Sequence, residues 1–151
     1  MEIKTKYVIS TLICFLLIGP EASGQEACRL TVRNGSGSTV GRIDSDGTIR
    51  DASGKSIGRF KGGTVRDGSG ASIGRIDQNG TVRNRSGATI GRVESDGDMR
   101  NASGSSIGRI TPDGTVRNKN SASRGRFDNF VPACRHIAAA YLFFFEPLHS
   151  Q

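Results

Sequence analysis

Arginine recurs at two fixed positions along this chain, and guanidinium is the group here best suited to meeting anions. Arg33, Arg50, Arg66, Arg83, Arg100 and Arg117 form one series, and Arg42, Arg59, Arg75, Arg92, Arg109 and Arg126 form the other. Each guanidinium carries a permanent charge and a planar fork of donors that matches a carboxylate or phosphate in two-point contact. Rows of such groups raise a positive field that concentrates polyanions. On that reading Arg42, Arg59, Arg75, Arg92 and Arg109 would bind an acidic glycan, a lipid phosphate or a nucleic acid. The plainer reading is that exposed arginines keep strands soluble and pair with turn acids such as Asp44, Asp46, Asp77, Glu94 and Asp96. Phe60, Phe127 and Phe130 are the only aromatic residues within the repeats, too few to interleave the arginines as a base-stacking platform, and no stable nucleic-acid partner is expected.

Catalytic chemistry finds little to work with. Serine is abundant, yet there is no nucleophile elbow, and the two histidines, His136 and His149, both lie in the tail. A serine or cysteine nucleophile inside the repeats therefore has no evident base, and the expectation is a non-enzyme with no catalytic residue and no cofactor. Asp44-Ser45-Asp46-Gly47 resembles a fragment of a calcium loop, but the further oxygen ligands and terminal glutamate of a full loop are missing, and a hairpin turn explains the same letters. No metal ligands are assigned.

The first 24 residues have the features of an export leader. Lys4 and Lys6 precede an apolar stretch from Tyr7 to Ile18, Gly19-Pro20 ends it, and Ala22-Ser23-Gly24 offers small residues before a cleavage point ahead of Gln25. The stretch is short for a membrane span, which needs roughly 20 apolar residues. Removing 1–24 leaves 19 cations against 12 anions, so the net charge stays at +7. It also leaves two cysteines, Cys28 just ahead of the repeats and Cys134 just behind them. In an oxidising compartment an even pair reads as a disulfide, although two unpaired thiols remain the alternative. Closing a loop of about a hundred residues would contribute up to about 4.7 kcal/mol on chain-entropy grounds.

The elements that carry these residues repeat six times. The copies span 31–47, 48–63, 64–80, 81–97, 98–114 and 115–130, within a repeat domain of 25–130. Each reads as a short β-branched strand, a Ser-Gly break, a second strand of the type Ile-Gly-Arg-Ile, and an Asx-Gly turn. Ile90 and Val93 are three residues apart, whereas one face of a flat strand takes even spacings, so a bulge or bend at Gly91 is expected to bring both inward. Asp46-Gly47, Asn79-Gly80, Asp96-Gly97 and Asp113-Gly114 are hairpin turns, and Gly62-Gly63 is a shorter one. Pairing across them yields five hairpins, 40–50, 57–66, 73–83, 90–100 and 107–117, with a strand left unpaired at each end near Thr31–Arg33 and Gly125–Phe127. Pairing across the Ser-Gly breaks would give six units instead. The sixth copy degenerates, with Asn120, Ser121 and Arg124 where the others carry serine, glycine and an aliphatic.

The tail, 131–151, changes character: Ile137 to Phe145 is continuously apolar. Such a run has to be covered, and it is expected to pack on the repeats as a plug or covering strand. Ala138-Ala139-Ala140 favours a helix and Tyr141, Phe143, Phe144 and Phe145 favour a strand, which leaves the choice open.

Repeated Val-Arg-Asn/Asp-x-Ser-Gly-x-Ser/Thr-Ile-Gly-Arg strands with Asp-Gly turns, behind a leader and ahead of Ala-Ala-Ala-Tyr-Leu-Phe-Phe-Phe, resemble the 5-fold beta-flower proteins, small exported proteins of Bacteroidetes-type bacteria. The resemblance spans about 30–145 and implies short β-hairpins around an axis, with no activity attached. The expected fold is therefore all-β, a pseudo-symmetric array of about five antiparallel hairpins, with a parallel β-solenoid as the rival. The expected role is an exported structural or interaction module of the periplasm, cell envelope or exterior. Its alternative is binding of an anionic glycan, lipid or nucleic acid through the arginine rows. The sequence leaves the ligand and oligomeric state open.

Overall fold

The computed structural model describes residues 27–146; the expected leader, 1–24, lies outside them, as do 147–151 of the tail. Twelve strands form one sheet: β1 (Leu30–Asn34), β2 (Thr39–Ile43), β3 (Thr48–Asp51), β4 (Ser56–Lys61), β5 (Thr64–Asp67), β6 (Ser72–Ile76), β7 (Thr81–Asn84), β8 (Thr89–Val93), β9 (Asp98–Asn101), β10 (Ser106–Ile110), β11 (Thr115–Asn118) and β12 (Ser123–Asp128). A 3₁₀ turn at Pro132–Cys134 leads into one helix, α1 (Arg135–Phe144). Every strand pairs antiparallel with its neighbours in sequence, and β1 pairs with β12, so the sheet closes into a barrel. The protein is not a parallel solenoid.

The five hairpins expected across the Asx-Gly turns are present, from β2–β3 to β10–β11. The expected unpaired end strands are not. Val32 lies opposite Phe127 and Arg33 opposite Arg126, which makes a sixth unit out of the two ends of the chain. The physical reason is the strand edge. Two short end strands would each expose a row of unpaired backbone groups, and joining them satisfies both rows at once.

The four-residue turns are tightly made: in the first, the Gly47 N–H donates to the Asp44 carbonyl and the Asp44 N–H to the Thr48 carbonyl. Gly47 sits at φ +86°, and its own carbonyl accepts from the Phe60 N–H of the next hairpin at 2.9 Å. Each turn thus ties one petal to the next, as at Gly63–Ile76, Gly80–Val93, Gly97–Ile110 and Gly114–Phe127.

The expected bulge exists but falls one residue earlier than the glycine. Opposite β7, Val82 faces Gly91 and Arg83 faces Thr89, so Ile90 is the extra residue; Val40, Ile57, Ile73, Ile107 and Arg124 occupy the same place elsewhere. The bulge restores the pleat so that Gly91 and Val93 both face inward, while Ile90 packs partly buried against the core.

A barrel of about eight strands is filled by its own side chains, and larger ones leave a lumen. Here valines and isoleucines, with Leu30, Phe60, Met99 and Phe127, line twelve strands, and α1 fills the space they leave. Residues Ile137 to Phe143 are buried all round, the pattern of a helix enclosed on every side. Apolar residues on all faces carry no period, which is why helix and strand were indistinguishable from sequence. The inward glycines provide the fit. A methyl group at Gly91 would come within 2.5 Å of Phe143 Cε1, one at Gly41 within 3.0 Å of the Tyr141 hydroxyl, and those at Gly74 and Gly58 would strike Phe144 and Phe145. Four adjacent petals therefore each receive one ring of the tail. Tyr141 also meets Phe127 edge-on, with centroids 6.0 Å apart.

Cys28 and Cys134 are joined by a disulfide, with Cα atoms 5.7 Å apart and a separation of 106 residues in sequence. It lies at the Asx-Gly end of the barrel, where β1 begins and β12 ends, and it ties the closing strand to the root of the plug.

Two stability experiments follow. Gly91→Ala should cost about 1–3 kcal/mol by chemical denaturation, because the methyl has backbone on one side and Phe143 on the other. Gly35→Ala, whose new methyl has ordinary contacts from 3.6 Å outward, should stay within about 0.5 kcal/mol. Reduction of the Cys28–Cys134 bridge, or Cys28→Ser with Cys134→Ser, should lower stability by up to about 4.7 kcal/mol. A melting curve indifferent to reductant contradicts that role.

Candidate functional site

The bulges and turns place all twelve repeat arginines on the outer wall, and register sets them in opposed pairs. Arg42 faces Arg50, Arg59 faces Arg66, Arg75 faces Arg83, Arg92 faces Arg100, Arg109 faces Arg117 and Arg126 faces Arg33. The result is a closed belt of six guanidinium pairs. Like charges directly opposite one another destabilise a sheet, by roughly 0.2–1 kcal/mol per pair.

The first-series arginines have a structural task. Each donates from Nη1 to a carbonyl of the Ser-Gly turn that follows it: Arg33 to Gly37 at 3.0 Å, Arg50 to Gly54 at 3.0 Å, Arg66 to Gly70 at 3.0 Å, Arg83 to Gly87 at 3.2 Å, Arg100 to Gly104 at 2.9 Å and Arg117 to Ser121 at 2.8 Å. The next residue completes the turn. Asn34 Oδ1, for example, accepts from the Ser36 and Ser38 N–H groups, each at 3.0 Å. In the degenerate sixth copy Ser121 adopts the left-handed conformation, φ +66°, that glycine holds in the others.

Between the members of four pairs sits one carboxylate. Asp44 lies 3.3 Å from Arg42 Nε and 2.7 Å from Arg50 Nε. Asp77 lies 3.1 Å from Arg75 Nε and 2.9 Å from Arg83 Nε. Glu94 lies 3.4 Å from Arg92 Nε and 3.6 Å from Arg100 Nε, and Asp128 lies 2.7 Å from Arg126 Nε and 2.5 Å from Arg33 Nε. An isolated surface ion pair is worth little, but one acid shared by two opposed cations also removes their mutual repulsion. The remaining pairs lack this acid: Lys61 stands in its place beside Arg59 and Arg66, and Thr111 beside Arg109 and Arg117. Arg66 and Arg117 are exposed, whereas their four counterparts are half-buried.

Of the sequence-predicted anion ligands, Arg42, Arg75 and Arg92 are thus engaged by internal acids. Arg59 reaches the turn carboxylate of Asp46 at 3.8 Å, and Arg109 that of Asp96 at 3.0 Å. The turn acids named from sequence as competitors are all engaged this way. The signal that sequence reading missed is the Arg-x-Asp/Glu spacing at 42/44, 75/77, 92/94 and 126/128, and its interruption at Lys61 and Thr111.

At the Asx-Gly rim His136, on the first turn of α1, borders a cleft of about 330 Å³ together with Asp46, Arg59, Lys61 and Ala133. Its Nε2 is buried without a hydrogen-bond partner among the described residues. Among those residues no group of three or more His, Cys, Asp or Glu side chains is placed to hold a metal ion. No helix among them is long and apolar enough to cross a membrane.

The hydrogen bonds hold several carboxyls below their ordinary range. For Asp77 the chief cause is the bond from Arg83, for Asp128 the bond from Arg33, and for Asp67 the hydroxyl of Ser69. Asp113 falls furthest, to about 2, through the Thr111 hydroxyl and then the Thr115 N–H. A depressed carboxyl stabilises the fold above its unfolded pKa, and that contribution is lost as pH falls toward the folded value. Burial, then Arg135, lowers His136, so its unfolded form gains a proton first and stability declines below about 6.5. Acid titration of the melting temperature should therefore show two descents, one beginning below about pH 6.5 and one between about pH 4 and 2. His136→Gln should remove only the first; a single descent in the unaltered protein contradicts the assignment.

No curated protein and no solved structure matches the chain. The sequence pattern of one family does, over residues 29–145, which takes in all twelve strands, the disulfide-bonded Cys134 and the plug helix. The chain belongs to the 5-fold beta-flower protein family.

Proposed function

We propose that this protein is an exported, non-catalytic structural or interaction module of the periplasm, cell envelope or exterior, and that its outer wall is the working surface. The observation that carries this reading is the occupied lumen. With α1 seated inside the barrel, recognition falls to the outside, where the arginine belt dominates. Export is supported by the Cys28–Cys134 bridge, since such bonds persist in oxidising compartments, and by the leader-like residues 1–24. A non-catalytic role is supported by the placement of His136 at the rim, beside a cysteine already committed to a disulfide.

A second reading, favoured by the six opposed guanidinium pairs and the net charge of +7, is recognition of an anionic glycan or lipid. Heparin chromatography of the oxidised protein separates the two. Retention that falls with salt, and that Arg59→Ala/Arg75→Ala/Arg92→Ala abolishes while the melting transition persists, establishes the belt as an anion surface. Passage without retention at low salt leaves the module reading and removes the anionic one.

A further inference from the structure

Four sectors of the belt show what the space between two opposed guanidinium groups accepts: one oxyanion, bridging Nε to Nε. Asp77 does so at 3.1 and 2.9 Å, and Asp44 at 3.3 and 2.7 Å. The β4–β5 hairpin keeps both arginines of this arrangement and lacks the acid. Lys61 replaces it, and the turn beyond is the short Gly62-Gly63, so that Lys61 stays in the ladder opposite Thr64. Among the described residues no carboxylate lies within ion-pair distance of Arg66 or Lys61, and Arg59 has only Asp46, 3.8 Å from its Nη2. Arg66 holds its turn through Nη1 to Gly70, the same bond that Arg50 and Arg83 make, but among the described residues it lacks the carboxylate that their Nε groups reach.

We propose that the outer face of β4–β5 binds one phosphate group, taken between Arg59 and Arg66 in the position a carboxylate holds elsewhere, with Lys61 as the third cation. Replacing an acid by lysine changes the local charge by two, which suits the near-dianion that a phosphate monoester is at neutral pH better than a carboxylate. The other unbridged sector is the internal contrast. Thr111 is neutral there, and Arg109 is held by Asp96 at 3.0 Å, so β10–β11 offers two cations, one already engaged.

The site deepens the anion reading of the belt, and the two can fail separately. The oxidised chain is titrated with inorganic phosphate by calorimetry at neutral pH, with chloride holding ionic strength constant. One saturable site is expected. Arg66→Gln and Lys61→Asp should each weaken it by about tenfold or more, the loss of one charge-assisted contact, while Arg75→Gln in a bridged sector changes it less than about twofold. Lys61→Asp supplies the missing carboxylate internally, so it should also raise the melting temperature in the absence of phosphate. If that variant does not fold, Arg66→Gln alone decides.

Absence of saturation overturns the site, as does equal weakening by Arg75→Gln, or phosphate affinity unchanged in Arg66→Gln. Vesicles distinguish the source of the group. Co-sedimentation with vesicles containing phosphatidic acid but not with pure phosphatidylcholine, competed by inorganic phosphate and lost in Arg66→Gln, assigns a lipid headgroup. Phosphate binding without co-sedimentation assigns a soluble phosphate. Heparin retention without phosphate saturation spares the belt and removes this site; saturation without retention does the reverse.

Discussion

The contact between the aromatic rings of α1 and the inward glycines is what the rest of the structure depends on. A twelve-strand ring lined mostly by valine and isoleucine encloses more space than its own side chains fill, and an empty apolar lumen would forfeit dispersion contacts on every wall. The helix fills it with a graded profile. Ala138, Ala139 and Ala140 come first, and then Tyr141, Phe143, Phe144 and Phe145 spread against Gly41, Gly91, Gly74 and Gly58. Small residues on the wall meet large ones on the plug, which is how close packing is reached without strained rotamers. Gly41, Gly58, Gly74 and Gly91 therefore each have two duties, one in the bulged strand and one as the floor beneath a ring.

Filling the lumen from inside requires the ring to be closed, and closure is the least local event in the fold. Arg33 and Asp128, which meet across the β1–β12 seam, are 95 residues apart in sequence. Ordering the chain to bring them together is opposed by loop-closure entropy, and the contacts that compensate arrive late. The disulfide sits at that seam and joins the strand that closes the ring to the turn that launches the plug. Ring and plug thus share one covalent anchor, consistent with a chain whose individual petals are too small to be stable alone.

Much of this was legible from residue types. Asx-Gly pairs predicted the hairpins, the odd spacing of Ile90 and Val93 predicted a bulge, and the flanking cysteines predicted their own bond. Three things were not, each for a physical reason. Closure of β1 on β12 leaves no local mark, because Val32 and Phe127 look like any other strand residues. The helix in the tail was ambiguous because burial on all sides erases the period that would reveal it. The bulge fell on Ile90 rather than Gly91 because the glycine is required in the ladder, facing the plug, where a bulged residue would have turned away. At the belt, the two arginine series were plain, but their opposition is a matter of register, and without register Lys61 is merely one more cation.

That register also explains how a belt of like charges coexists with a stable barrel. Arginine at both positions is used because each makes a bond the sheet needs: one locks the Ser-Gly turn, and the other reaches the acid at the opposite rim. Repulsion between them is the consequence, and a shared carboxylate offsets it in four sectors. Had arginines served solubility alone, unequal spacing or an intervening serine would have avoided the conflict. The repeats instead keep the conflict and resolve it with one acid two residues beyond the second arginine. A sector that keeps both arginines while exchanging that acid for lysine loses the bridge, and only Asp46, 3.8 Å from Arg59, offsets its charge from within the protein. On the proposal made for β4–β5, the bridging counter-charge comes from solution, and the stability of that hairpin is linked to the anion that supplies it.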